Sequence, residues 1–215
     1  MPSLWYILRS LAKGKSLARA YMNWETRFHT ISGRVLDVGA GQFKKYHELI
    51  IASGATIECV DQKDVGAGAQ VDIDIEVLPY SADTFDTIIL FNILEHTFEY
   101  LHVCSETHRI LKEGGEMIGF VPFLVRYHPD PHDFFRYTNE ALERIIKVAG
   151  YKNVNVRPLG RSFIAVQFHT VSQYLPPWVN VLVYPPLHLI DTLLVRARPQ
   201  MREWYPLGYF FTAKK

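Results

Sequence analysis

The chain has 215 residues, of which 48% are hydrophobic and 21% charged, and a formal net charge of +1. This composition suits one well-filled globular domain, and it argues against a disordered chain and against a broad basic surface for nucleic acid. The two cysteines, Cys59 and Cys104, lie in apolar periodic segments with neither CxxC nor Cys/His ligand spacing. That argues against a disulfide framework or a zinc site and fits a reducing, cytoplasmic setting.

The first predicted element is an N-terminal helical segment, residues 1–33. It opens with aromatic and aliphatic residues, spreads Arg9, Lys13, Lys15 and Arg19 along a helical pattern, and holds no acid before Glu25. It lacks the separate apolar core and small-residue cleavage site of a signal peptide. From Arg34 onward, short strand-like runs alternate with longer helical runs, the mark of an α/β sheet with crossover helices. "RVLDVGAG" reads as the first strand, "KKYHELIIAS" as a helix, "TIECVD" as a strand ending at Asp61, "QVDIDI" as a short stretch, and "TFDTIILFN" as strand four. Asp86 reads as a structural residue at the start of that strand. A helix is expected from Phe98 to Leu111, then a turn at Gly114–Gly115 and a fifth strand ending in "GFVP". "TNEALERIIKVAG" reads as a helix with Thr138 as N-cap and Gly150 as its stop. "YKNVNVRP" and "LGYFFTAKK" close the sheet as strands six and seven.

Between those last two strands lies an oversized connection, residues 159–205, where a return would normally need only a few residues. The organisation is therefore 1–33, a core of 34–158 with 206–215, and an apolar insertion of 159–205. From Ser162 to Ile190 the insertion holds no Asp, Glu, Lys or Arg, and Pro176, Pro177, Pro185 and Pro186 punctuate it. The prolines are expected to leave no uninterrupted stretch of the ~20 residues that a membrane-spanning helix needs.

The chemistry is carried first by "LDVGAGQF". It places Asp37 at the end of the first strand and Gly39 and Gly41 in the following turn, around Ala40. A turn without side chains lets a ligand approach the backbone at the carboxyl edge of the sheet. Asp61 ends the second strand, where a carboxylate can accept hydrogen bonds from both hydroxyls of a ribose. These features alone suit two cofactors. A dinucleotide fingerprint would need its third glycine at Lys44, where a lysine would crowd the helix-to-strand contact.

The continuation, "DIEVLPYSADTFDTIILFNILEHTFEYLHVCSETHRILKEGGEMIGFVP", resembles the later half of class I S-adenosylmethionine-dependent methyltransferases of the small-molecule group, and the similarity runs from about Arg34 to Gly150. The resemblance implies a Rossmann-like, doubly wound seven-stranded sheet whose last strand is antiparallel. It implies S-adenosylmethionine as cofactor and S-adenosylhomocysteine as product. Carried over by position, Asp37 and the Gly39–Ala40–Gly41 turn face the methionine part, Asp61 the ribose, and Gln62 or a neighbour the adenine. Asp74 accepts from the adenine amino group with the backbone of Ile75 nearby, and Asn92 offers its carbonyl to the ammonium. The acids suit a ligand rich in donors. Phe43 stands where the family usually has a third glycine.

Two further clusters concern the acceptor. Glu95 and His96 follow strand four, near the expected methyl group; His96 is a candidate general base, or the pair holds the next helix in place. "HPDPHDFFRYT", residues 128–138, follows strand five and also resembles a segment of methyltransferase-like proteins associated with surface-polysaccharide and other glycan biosynthesis. As an acceptor-site lid it would present His128, His132, Asp133, Arg136 and Tyr137 to a polar acceptor, with Arg136 suited to a carboxylate or phosphate. In the alternative, Arg136 pairs with Asp130 or Asp133 while Phe134 and Phe135 pin the loop. Its HxDxHD spacing fits no standard zinc motif, so no metal site is expected there.

Two functions compete. The first is methyl transfer to a small-molecule, glycan or lipid-linked acceptor. Because a sulfonium is already an activated donor, alignment alone can contribute ~7 to 11 kcal/mol; a hydroxyl acceptor would also need a base, for which His96, His128 and His132 are candidates. The second is a membrane-associated binding or assembly protein that retains the fold without turnover, its basic N-terminus and uncharged insertion resting on lipid. A nucleic-acid acceptor is disfavoured, since "NILEH" stands where a base-methylating "NPPY" would follow strand four.

Overall fold

The computed structural model describes residues 1–40, 46–60 and 77–215, and of residues 51–53 the backbone only. Six strands form one sheet: β1 Thr30–Val38, β2 Ile51–Val60, β3 Phe85–Phe91, β4 Leu111–Pro122, β5 Lys152–Gly160 and β6 Pro206–Lys214. Their order is β2-β1-β3-β4-β6-β5. The first four run parallel, and β6 is antiparallel to both its neighbours. The antiparallel last strand agrees with expectation; the described sheet has six strands rather than seven, and "QVDIDI" lies outside the described residues.

The parallel strands are buried on both faces, which is why β3 reads as a nearly continuous apolar run. Alternate residues feed two core layers. On one face, Leu36, Ile88, Leu90 and Met117 pack with Val103 and Ile110 of α3 (Tyr100–Ile110) and with Leu142 and Ile146 of α4 (Asn139–Val148). On the other, Val35, Ile89, Ile118 and Phe210 pack with α1 (Leu4–Ala12), α2 (Leu17–Thr26), α5 (Phe163–Ser172) and α6 (Pro177–Ala197). The N-terminal helices and the insertion thus share one layer, and α1 packs along α6.

Most element ends match the sequence. Thr138 caps α4 by accepting from the Ala141 N–H at 3.2 Å. Asp86 is structural: its Oδ2 accepts from the Arg34 N–H at 2.9 Å and from Lys112 Nζ at 2.8 Å, tying β1, β3 and β4 together. The Gly114–Gly115 pair is not a turn before β4 but a bulge within it. The register moves from Phe85 opposite Leu111 to Thr87 opposite Glu116, and Gly114 absorbs the slack at φ +76°.

Two expectations are corrected. Residues 46–53 are not helical: Tyr46–Ile50 are turns and β2 already begins at Ile51. The reason is that β1 begins at Thr30 rather than Arg34, so Thr30–Ser32 takes Ile51–Ser53 as its parallel partner. What remains for the crossover, Gly39 to Ile50, is close to the shortest that joins parallel strands.

The second correction concerns the insertion. Pro185 and Pro186 do not interrupt it, and α6 runs for 21 residues through both, long and apolar enough to cross a membrane. Each internal proline costs a helix about 3 kcal/mol, and tertiary anchors offset that cost. Tyr184 is buried against Phe168, and Asn180 Nδ2 donates to the Ser172 carbonyl at 2.9 Å. Arg161, just after β5, is ion-paired with buried Asp191 at 2.5 Å and donates to Thr192 Oγ1 at 2.7 Å, while the Ser162 hydroxyl also donates to Asp191.

Removing one partner of a buried pair strands the other charge. Asp191→Ala is therefore expected to lower the unfolding free energy by roughly 3–5 kcal/mol, measured by urea denaturation, and to expose α6 to limited proteolysis. A loss below about 1 kcal/mol would show that apolar contacts alone hold the helix.

Candidate active site

The carboxyl ends of β1 and β3 meet at Gly39 and Ile93. Gly39 sits at φ +69°, and a Cβ there would fall 1.8 Å from Ile93 Cδ1, so the turn after β1 and the turn after β3 pack through a space only glycine leaves. The Gly39 N–H donates to the Val60 carbonyl at 2.7 Å, fastening the same turn to the end of β2. Ala40 beside it is buried. Asn92 stands across from this turn at φ +56°, with its N–H donated to the Phe120 carbonyl of β4 at 2.9 Å and its amide nitrogen 3.9 Å from Met22 Sδ.

Asp37 is fully buried behind the turn. Its Oδ2 accepts from the Tyr46 hydroxyl at 2.5 Å and lies 2.5 Å from His47 Nε2, so the crossover is stapled to β1 through this carboxylate. Tyr46 in turn meets Phe91 edge-on at 5.2 Å. Neither Tyr46 nor His47 was singled out from the sequence, because the contact spans a connection whose path no local spacing marks. Gly41, Asp61, Gln62, Asp74 and Ile75, together with Phe43, lie outside the described residues.

The turn after β3 forms one helical turn, Leu94–His96, and residues 123–138 fold against it as a strap. The Glu95 carbonyl accepts from the Phe134 N–H at 2.7 Å and from the Phe135 N–H at 3.3 Å. Tyr137 is buried and donates its hydroxyl to the Leu94 carbonyl at 2.9 Å. His96 Nδ1 lies 2.5 Å from the His132 carbonyl. Phe135 packs against Tyr100 at 5.1 Å.

Within the strap Arg136 is committed. Its terminal N–H groups reach Asp133 Oδ1 at 2.5 Å and Oδ2 at 2.6 Å, the Phe135 carbonyl at 2.8 Å and the Arg126 carbonyl at 3.2 Å. The Asp133 side chain is fully enclosed and also accepts from the His128 N–H at 2.8 Å. Burial pushes the Asp133 carboxyl up, but the Arg136 and His128 hydrogen bonds outweigh it and hold the group down at about 2. Of the paired and acceptor-facing arrangements open in the sequence, the geometry is the paired one for Arg136 and Asp133. Tyr137 is likewise engaged with the Leu94 carbonyl.

The histidines divide. His96 and His128 come together with ring centroids 5.2 Å apart, edge to face. His132 is exposed and its ring lies beside Phe134. Beside the pair, Glu95 is completely buried, no other described residue hydrogen-bonds to its carboxylate oxygens, and burial pushes the group up to about 8. Burial also lowers the His128 pKa from its ordinary value. The result is a polar patch of His96, His128 and Glu95 next to Asn92, on the same sheet edge as the Gly39 turn.

Residues 36–119 match the family model described as a methyltransferase domain. No curated protein is matched by sequence. Among solved structures, the cyclase SpnF aligns with a TM-score of 0.61 at 16% identity, covering 99% of this chain and 94% of that one. A SAM-dependent methyltransferase from Archaeoglobus fulgidus aligns at 0.57 and 16% identity, covering 99% and 95%. Phosphoethanolamine N-methyltransferase 2 of Haemonchus contortus, in complex with S-adenosyl-L-methionine, aligns at 0.57 and 16% identity, covering 90% of this chain and 52% of that one.

Asp133 supplies a test of the strap. Its folded pKa lies below the unfolded carboxylate value, so its contribution is present above about pH 4 and is lost as pH falls toward 2. Allowing for solvent screening, the loss is about 1–2 kcal/mol. Urea unfolding between pH 5 and 2.5 should show that acid limb in the native chain and a flatter one in Asp133→Asn; identical limbs would mean that the Arg136 pair carries no net stability.

Proposed function

We propose that this chain, which carries a methyltransferase domain on the class I S-adenosylmethionine-dependent fold, transfers a methyl group to a small-molecule or glycan acceptor, including one linked to lipid. The observation that supports this most directly is the placement of the His96–His128 pair beside Asn92 and the Gly39 turn. A cofactor turn and a patch able to move a proton thus open on one sheet edge. The donor set suits the cofactor, because a turn free of Cβ atoms gives close backbone approach and Asn92 brings an acceptor carbonyl to the same edge.

S-adenosylmethionine supplies, when bound, a methyl group already activated on a positive sulfur. The chain's residues then have positioning as their main task. Asp37 would hold the turn in place through Tyr46 and His47, Asp61 would take the ribose, and Gln62, Asp74 and Ile75 the adenine. His96 or His128 would accept the proton of a hydroxyl acceptor. Asp133 and Arg136 would shape the acceptor's surroundings by fixing the strap, with His132 at its outer rim.

Isothermal titration should show S-adenosylmethionine binding, weakened roughly 10- to 100-fold by Asp61→Ala through loss of charge-assisted hydrogen bonds. Transfer of a labelled methyl group should fall by 10²–10⁴ in His96→Ala with cofactor affinity unchanged. Binding without transfer to any glycan, lipid-linked glycan or small polar acceptor would favour the fold-retaining assembly protein instead.

One observation favours contact with a lipid surface. Along α6, Trp178, Leu182, Leu189 and Leu193 are exposed, while Asn180, Tyr184 and Asp191 face the protein. A helix anchored this way by its polar face, with both ends returning to the same sheet, would lie on a bilayer rather than span it. Sedimentation with anionic liposomes should carry the chain down, and the triple variant Trp178→Asp, Leu182→Asp, Leu189→Asp should stay in the supernatant while still binding cofactor. Equal partition of the two proteins would refute the lipid contact.

A further inference from the structure

Glu95, His96 and His128 each place one donor atom within 4.8 Å of the others. What is unusual is the state in which each is held. The Glu95 side chain is 0% exposed, and among the described residues no other residue hydrogen-bonds to either of its oxygens. Such a group is unfavourable unless something compensates it. Arg136 acts on it only through its charge and does not hydrogen-bond to it, since its terminal N–H groups are taken by Asp133 and by the Phe135 and Arg126 carbonyls. The nearest imidazole nitrogen of His96, Nε2, is 3.7 Å from Glu95 Oε1, too far for a hydrogen bond.

Both imidazoles are oriented through their other nitrogen. His96 Nδ1 faces the His132 carbonyl at 2.5 Å, and His128 Nδ1 faces the Arg126 carbonyl at 3.0 Å. A carbonyl only accepts, so His96 Nδ1 carries the proton and its Nε2 keeps its lone pair. At His128 Nδ1 the Arg136 terminal nitrogen, 3.2 Å away, can only donate, but the Arg126 carbonyl is the nearer neighbour and favours Nδ1–H there too. Asp133 Oδ2, 3.3 Å from His128 Nδ1, favours the same tautomer. An Nδ1–H donated to a carbonyl is the outer-shell arrangement that orients metal-binding histidines.

We propose that Glu95, His96 and His128 form a binding site for a divalent transition-metal ion of the zinc class, with one carboxylate and two imidazoles as ligands and a further position open. The two nitrogens argue against magnesium and calcium, which favour oxygen. The three donors are spread more widely than the roughly 3.4 Å separation of ligands around a tetrahedral zinc, so binding draws them inward. The strap and the turn that carry them are already joined at the Glu95 carbonyl. The HxDxHD run contributes only His128, and the other two ligands come from the turn after β3.

The consequence for catalysis rests on the methyl-transfer reading. With the ion bound, His96 and His128 would be ligands in place of bases: an acceptor hydroxyl at the open position would lose its proton to solvent, and its oxygen would bond to the methyl carbon as the carbon–sulfur bond breaks with its electron pair left on sulfur. The metal site itself does not depend on that reading.

The full chain, stripped with a chelator, should retain about one zinc per chain after dialysis against micromolar zinc, read by elemental analysis. Glu95→Gln, nearly isosteric, and His128→Ala should each weaken zinc binding at least tenfold, with far-ultraviolet dichroism confirming their folds. Cys59→Ser, which alters the neighbouring Asp37, His47 and Cys59 group, should retain the ion. S-adenosylmethionine titration is run on every variant, so loss of zinc with unchanged cofactor binding supports the site. Binding of no zinc, or zinc binding unchanged in Glu95→Gln and His128→Ala, or loss only in Cys59→Ser, overturns it, whatever the outcome for methyl transfer.

Discussion

The candidate site depends on one peptide carbonyl. Glu95 C=O accepts from two successive N–H groups of the strap, Phe134 and Phe135, and thereby fixes where the segment after β4 lies relative to the turn after β3. These segments are about forty residues apart in sequence, and parallel strands β3 and β4 deliver them to the same edge. The carbonyl fixes only a line of contact. Tyr137 on Leu94, the His96 ring on the His132 carbonyl and Phe135 on Tyr100 then fix the angle. Side chains that seem available for chemistry in the sequence, Tyr137 above all, are therefore occupied in holding the geometry within which others act.

Electrostatics divides the strap in the same way. Asp133 and Arg136 satisfy one another through two parallel hydrogen bonds, which lowers the aspartate's pKa and leaves little unbalanced charge. Glu95, a few ångströms further in, receives no such partner, and burial moves its pKa the other way. Two carboxyl groups in one neighbourhood are thus driven apart, one ionised and structural, the other held in reserve. That contrast directs attention to Glu95, His96 and His128 rather than to the more conspicuous Asp133 and Arg136.

The α/β sheet was legible from the alternation of apolar runs, the antiparallel last strand from the resemblance, and the cap at Thr138 and the structural role of Asp86 from their places at element starts. The crossover after β1 was not. "KKYHELIIAS" has a helical pattern, yet the pairing of Thr30–Ser32 with Ile51–Ser53 overrides it, and such pairing is a long-range fact that no window contains. The prolines of α6 misled for a similar reason: their local cost is real, and the offset comes from Arg161, Ser162 and Phe168 on other elements. At the site, the residue types in "LEH" and "HPDPHDFFRYT" were visible, and so was the option that Arg136 pairs with Asp133. Which histidines converge was not, because His128 and His132 have equal standing in sequence and only the folded strap brings the His128 ring to His96 and the His132 ring to Phe134.

The similarity to SpnF and to methyltransferases at the same 16% identity separates what the scaffold provides from what the side chains decide. A fold shared by a cyclase and by methyltransferases supplies a fixed sheet edge, not a reaction. The reaction must be read from groups added to that edge. Here those groups are a buried carboxyl without a partner and two imidazoles turned to present the same nitrogen. They are carried on the turn after β3 and on a strap whose own charges are already matched, while an insertion helix keeps its polar residues against the protein and its tryptophan and leucines outward. Both features lie in connections outside the six strands, so what distinguishes this chain is concentrated in the segments that the sheet leaves free to vary.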